Sequence, residues 1–306
     1  MHAESRQEAT PVADTVSYSF QETLNAQNEN IDIMDYFQLC NKTKYTIENF
    51  FDLIQLIYSD NDFNVLFAVV GFRKMMSLLK NPPVQSVIDA NLLPLFLNLL
   101  TRKDIPRIQF EALWTLTNIA SGKEDYVSAL LDKGAIQSFV MVITEDNEPQ
   151  VKEQAIWALG NIAGDENFFR NQILRIGAID PICTCLESAE KNTQFVRNAI
   201  WCLANLTRGR PLPSEKDMYR MIPVVCEVLN NTMDEILTDA CWCISYISDG
   251  GVRTIPQIME TGITERLVQL MGHPNSGVAI PSLRSIGNFV TGADEQTDVV
   301  LQCGVL

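Results

Sequence analysis

Four tryptophans recur at Trp114, Trp157, Trp201 and Trp242, and after the first three an asparagine follows four residues later, at Asn118, Asn161 and Asn205. An indole face attracts a cation through its ring quadrupole, by about 0.5–2 kcal/mol per contact, and parallel indoles leave slots that suit long aliphatic stems. A carboxamide both donates and accepts, so a row of them can hold the main chain of an extended peptide without reading its side chains. Carboxylates complete the set. Asp165 follows one Trp segment, and Glu235 and Asp239 stand seven and three residues before Trp242. A well-placed carboxylate contributes about 1.5–3 kcal/mol to holding a lysine. The residue types therefore point to recognition of an extended, Lys- or Arg-rich peptide.

That chemistry requires the side chains to be displayed, whereas a repeated Trp is ordinarily core. Helical geometry decides between the two, since each residue advances about 100°. With Ala112 at zero, the apolar set Ala112, Leu113, Leu116 and Ile119 centres near about 40°, while Trp114 and Asn118 fall at about 200° and 240°. The sets Ala155, Ile156, Leu159, Ile162 and Ala199, Ile200, Leu203, Leu206 repeat the pattern opposite Trp157/Asn161 and Trp201/Asn205. The core stripe is complete without the indoles, so they are expected on the surface. Glu235 and Asp239 fall at about 220° and 260° on the scale of their own helix, the stripe of Trp242.

The elements that must position these residues repeat. Aligned on the same frame, Val70, Trp114, Trp157, Trp201, Trp242 and Arg284 are spaced by 44, 43, 44, 41 and 42 residues. A period in the low forties with helical patterning fits armadillo or HEAT units. Between the Trp helices come a short helix ending in Gly134, Gly177 or Gly262, expected as left-handed caps, and then a second helix. Three helices per unit favour armadillo. The expected fold is all-α, with about five to six three-helix repeats. The fourth unit departs, carrying the proline-bearing connection "RGRPLPSEKDMY". Residues 1–44 read as a polar, disordered tail with a short helix at "IDIMDYFQLC", and residues 45–306 as the repeat domain. Residues 45–80 read as a degenerate first unit, and the C-terminus as ending within a repeat.

The formal net charge is −15. It disfavours nucleic acid and anionic membranes and favours a basic partner. No stretch reaches the roughly 18 consecutive apolar residues of a membrane span. The eight cysteines form no CxxC pair and lie in apolar helical segments, as buried reduced thiols do. His2 and His273 are the only histidines. No nucleophile elbow, phosphate loop or metal-ligand spacing occurs, so neither catalysis nor a cofactor is expected.

The motifs "ALWTLTNIASG", "AIWALGNIAGD", "AIWCLANLTRG", "CWCISYISDGG" and "LRSIGNFVTGADEQT" together resemble the importin-α (karyopherin-α) family over residues 45–306. The resemblance implies a right-handed superhelical armadillo solenoid whose concave groove binds basic nuclear localisation signals, in cytoplasm and nucleus. It implies a major site at Trp114/Asn118, Trp157/Asn161 and Trp201/Asn205, with Asp165 pairing the key lysine. Gln154, Asn198, Glu235, Asp239, Trp242 and Tyr246 match further groove positions, and Arg284 and Asn288 match the start of a minor site. Three departures follow. Val127 stands where the family has a hydroxyl beside the key-lysine pocket. Residues 1–41 hold one basic residue, Arg6, so importin-β binding through a basic N-terminal segment is not expected. The later repeats and the acidic tail are not matched. The alternatives are a cargo-sequestering divergent isoform and a catenin-like scaffold without a transport role. Its groove would carry rows of Lys and Arg, whereas this stripe carries Trp, Asn and acids, with Arg107 and Arg284 as exceptions.

Overall fold

A computed structural model describes residues 17–27, 31–191 and 193–305. The chain divides into two compact units, Met1–Pro83 and Val84–Leu306.

In the first unit, α1 (Phe20–Ala26) starts with a capping box between Ser19 and Glu22. The Asp32 side chain caps α2 (Ile33–Lys42) by accepting from the N–H groups of Met34 and Asp35. A 3₁₀ turn, Ile47–Asn49, leads into α3 (Phe50–Ile57), and Asn61 caps the long α4 (Asp62–Leu78). The expected helix at "IDIMDYFQLC" thus forms as α2. The expected disordered tail does not hold over residues 17–27 and 31–44, which fold, while residues 1–16 lie outside the described residues. The reason is a one-sided apolar pattern inside a polar stretch. Tyr36, Phe37 and Cys40 gather on one face of α2 and are buried. The compact unit also runs to Pro83, past the expected boundary at residue 44.

The second unit is a series of armadillo repeats. The first comprises α5 (Val84–Asp89), α6 (Leu93–Leu99) and α7 (Pro106–Ala120). The next is α8 (Glu124–Asp132), α9 (Ala135–Thr144) and α10 (Pro149–Gly164), followed by α11 (Asn167–Ile176), α12 (Ile179–Ser188) and α13 (Gln194–Thr207). Proline opens α7 and α10 at the first helical turn, where no N–H partner is needed. Gly134, Gly177 and Gly262 hold φ of 80°, 80° and 75°, the left-handed turn that reverses one helix into the next.

The fourth repeat has one helix, α14 (Glu215–Val228), where its neighbours have two, and then α15 (Asp234–Ser248). The preceding stretch with Pro211 and Pro213 is held as an irregular connection instead. The buried Arg170 of α11 donates to the carbonyls of Arg208 and Pro211, the latter at 2.6 Å. The last full repeat is α16 (Ile255–Glu260), α17 (Thr264–Met271) and α18 (Ser276–Phe289), with α19 (Asp294–Gln302) beyond it.

The long helices α7, α10, α13, α15 and α18 pack in series. Of these, α7, α10 and α13 bury the apolar stripes read from the sequence. Ala112, Leu113, Leu116 and Ile119, together with their equivalents on α10 and α13, are fully buried. All eight cysteines are free thiols and six are buried, with burial pushing those of Cys226 and Cys241 up to about 11. Among the described residues no strand forms, no single helix is long and apolar enough to cross a membrane, and no cluster has metal-ligand geometry.

Candidate functional site

The serial packing of the long helices leaves one stripe of each uncovered, and the Trp residues lie on it. Trp114, Trp157, Trp201 and Trp242 are all half-buried, as are Asn118, Asn161 and Asn205. The Trp201 indole is seated against the preceding helix. A Cβ on Gly160 of α10 would stand 2.7 Å from Cε3 of Trp201 and closer still to Cζ3, so this indole rests on bare backbone. The residue three after each Trp is small throughout, being Thr117, Gly160, Ala204 and Ser245.

The asparagines do more than the sequence suggests. Asn161 Nδ2 donates to the Thr117 carbonyl at 3.3 Å, and Asn205 Nδ2 donates to the Gly160 carbonyl at 3.1 Å. Asn288 Nδ2 repeats the contact with the Ser245 carbonyl at 3.3 Å. In each case the acceptor lies three residues after the aligned position of the previous repeat. One N–H thus locks the amide to its neighbour. For Asn161 and Asn205, the carbonyl oxygen and the second N–H are then aimed by that lock.

A second row lies three residues before each Trp. It consists of Glu111, Gln154, Asn198 and Asp239. Glu111 is buried and paired with Arg107 at 2.8 Å. The Arg107 guanidinium lies 5.0 Å over the Phe110 ring, whose edge meets Trp114. Gln154 and Asn198 are buried rather than displayed. Asn198 accepts from Gln194 Nε2 at 3.1 Å and donates to Glu153 Oε1 at 2.9 Å, while Gln154 Nε2 is buried with no hydrogen-bond partner. Glu111 was absent from the sequence-based set, although its place three before Trp114 marks it.

Of the expected acids, Asp165 is exposed at the C-terminus of α10, and burial first, then the neighbouring Glu166, raise its carboxyl. Glu235 is exposed and bonded to Arg197 at 2.8 Å. Asp239 is half-buried and pushed up to about 7, by burial first, with Arg197 opposing and Glu235 adding to the rise. Val127, at the position expected to weaken the lysine pocket, is fully buried on α8.

Beyond α13 the ladder changes. Tyr246 replaces the asparagine and stacks on Trp242, with ring centres 5.5 Å apart. Arg284 replaces the Trp. Its guanidinium lies 5.4 Å over Tyr246 and takes both oxygens of Asp249, at 2.8 and 3.0 Å. Asn288 also donates to Asp249 Oδ1 at 3.0 Å. Here the chain's own cation sits between an aromatic face and a carboxylate.

The chain is similar to known proteins in both sequence and fold. The armadillo/β-catenin-like repeat family matches residues 80–121, and a HEAT-like repeat family matches residues 106–162. Importin subunit alpha-1a of Oryza sativa subsp. japonica is 41% identical over 245 residues, 80% of this chain and 46% of that protein. Importin subunit alpha-B of Dictyostelium discoideum is 39% identical over 80% of this chain and 48% of its own length. The chain thus spans about half the length of these relatives. An engineered protein of known crystal structure superposes with a TM-score of 0.75 at 21% identity, covering 93% of this chain and 70% of that one. A designed armadillo repeat protein, solved in complex with the peptide (KR)4, superposes at 0.66 and 24% identity over 78% of this chain and 98% of its own. These solved structures share the fold. With Trp/Asn pairs on three successive long helices and identity near 40% over four-fifths of its length, the chain belongs to the importin-α family of armadillo-repeat proteins.

Proposed function

We propose that the chain is a nuclear-import adaptor-like protein that binds Lys/Arg-rich localisation signals of cargo proteins along the Trp/Asn stripe, in cytoplasm and nucleus. The observation that carries this reading is the locked asparagine. Asn161 and Asn205 each use one N–H to fix themselves to the preceding helix beside a half-exposed indole. A row of amides held in one orientation at the repeat spacing suits a peptide main chain, and the indoles between them suit aliphatic stems ending in a cation. Asp165 supplies the carboxylate for a lysine at the ladder's centre. Burial raises its carboxyl, and a docked cation would favour the anion.

Titration of a fluorescein-labelled Lys-rich peptide, followed by anisotropy, tests the proposal. Saturable binding is expected, with an acidic peptide of equal length failing to bind. Asp165→Lys is expected to weaken binding by about tenfold or more, since a charge-assisted contact of about 1.5–3 kcal/mol becomes a repulsion. Equal affinity of Asp165→Lys and the parent would remove Asp165 from the site. Preference for the acidic peptide would turn the reading toward a scaffold of the opposite charge preference.

A further inference from the structure

The face of α4 that corresponds to the Trp/Asn stripe is already filled. In the repeat register, Phe63, Phe67, Val70 and Lys74 stand where α10 has Gln150, Gln154, Trp157 and Asn161. Val70 and Phe67 are fully buried. What covers this face is the segment preceding the repeats. Phe20 of α1 sets its ring against Phe67 at 4.8 Å, Tyr36 of α2 meets Phe63 at 5.2 Å, and Tyr45 meets Phe67 at 5.3 Å.

The polar contacts follow the same logic. Lys74, at the asparagine position, donates from Nζ to the carbonyls of Asn41 and Thr43, each at 2.7 Å, and lies 5.5 Å over the Tyr45 ring. Arg73 donates to Asn41 Oδ1 at 2.9 Å. Lys74 therefore holds two main-chain carbonyls of residues 41–43, the task proposed for the asparagines with a bound peptide. Tyr18 bridges to the same segment through Lys42 and Lys44, and the hydroxyls of Thr23 and Thr43 bond beneath it.

We propose that residues 18–27 and 31–45 are a built-in, non-exchanging occupant of the α4 face that corresponds to the Trp/Asn stripe, so that recognition of an external basic peptide begins at Trp114. This rests on the peptide-binding reading for its consequence, and on the contacts of α4 for the occupancy itself. The chemistry differs from that of a competing basic segment. The occupant is held by an aromatic cluster and by main-chain bonds to Lys74, rather than by cations set between indoles. A basic peptide therefore has nothing to compete with there, and the face beneath is Phe and Val, which a lysine does not favour.

Cys40 reports on this directly, because it lies fully buried on the inner side of α2. The intact chain is pulsed with N-ethylmaleimide, and modification of each cysteine is read by mass spectrometry, with and without saturating Lys-rich peptide. In the free protein Cys40 is expected to react at least about a hundredfold more slowly than the partly exposed Cys303. Comparable rates would show that the occupant is not held, whatever the peptide does. With peptide bound, as monitored by anisotropy on the same sample, the Cys40 rate is expected to stay within about twofold. An acceleration of about tenfold would show displacement and overturn the proposal. Failure of the peptide to bind at all would sink the peptide reading, leaving the free-protein comparison to judge the occupancy.

A second variant tests the consequence. Val70→Trp restores the ladder residue on α4. With the face occupied, it is expected to lower the melting temperature and to leave affinity for a longer basic peptide unchanged within about twofold. A gain of about fivefold or more for the longer peptide would show an open slot and overturn the proposal. If the variant does not fold by circular dichroism, the Cys40 rates decide alone.

Discussion

Asp239 shows how one residue's setting changes what it can do. Its carboxyl is raised to about 7, with burial as the main cause, on a stripe where a cation is expected to dock. In an unfolded chain the same group titrates near about 3.9. The native state therefore holds a proton that the unfolded state has released between those two values, and stability falls as pH rises through that window. At pH 8 the buried anion costs on the order of 2 kcal/mol once partial solvent access discounts the shift. Asp239→Asn is expected to raise the denaturation midpoint at pH 8, with the gain fading as pH falls from about 7 and gone by about pH 4. Urea unfolding at the two pH values checks this. A cationic side chain docking beside Asp239 would favour the anion, so basic-peptide affinity should rise between pH 6 and pH 8, and Asp239→Asn should flatten that slope. A flat profile in the parent protein would separate Asp239 from the peptide.

At the scale of the element, the long helices carry two faces that make different demands on glycine. Gly160 lies inside α10, where alanine would ordinarily stabilise a helix by about 1 kcal/mol. Here the added carbon would collide with the Trp201 ring, a rigid group that cannot bend aside. Gly160→Ala is expected to lose stability despite its better propensity, by about 1–3 kcal/mol, and to shift Trp emission as the indole is pushed outward. Gly287, at the same register position in α18, has no atom within 4 Å of where its Cβ would be. Gly287→Ala is expected to gain up to about 1 kcal/mol. Denaturant midpoints of the two variants, measured side by side, check the opposed signs. The helical faces were legible in sequence because burial of Ala112, Leu113, Leu116 and Ile119 follows from period alone. The lock of each asparagine onto the previous helix was not, because it joins atoms 39 to 45 residues apart in sequence.

Across the whole molecule, the net charge of −15 sets a field that draws basic partners and weakens as salt screens it. Binding of a Lys-rich peptide is expected to weaken by about tenfold between 50 and 300 mM salt, chiefly through slower association. Stopped-flow kinetics over that range separates the association and dissociation rates. A change carried wholly by dissociation would place the charge effect in close contacts rather than in steering. The repeat organisation also makes the stripe modular. Each long helix adds one register position, and its occupant can differ from repeat to repeat: an indole on α10, a guanidinium paired with Asp249 on α18, the chain's own N-terminal segment on α4.

The amino-acid sequence alone determined the all-α class, the period in the low forties, the left-handed glycine turns and the face on which each indole lies. These depend on local geometry, namely 3.6 residues per turn and the φ that only glycine adopts readily. The tertiary structure decided which polar residues on that stripe are already engaged. Glu235 with Arg197, Arg284 with Asp249, and Glu111 with Arg107 are pairs whose members come together, or turn away from solvent, only when helices pack. It also decided that the polar-looking stretches 17–27 and 31–44 fold. Their few aromatic residues are too sparse to signal a core by themselves, and they find one only against Phe63 and Phe67 of α4, 27 to 47 residues onward in the chain.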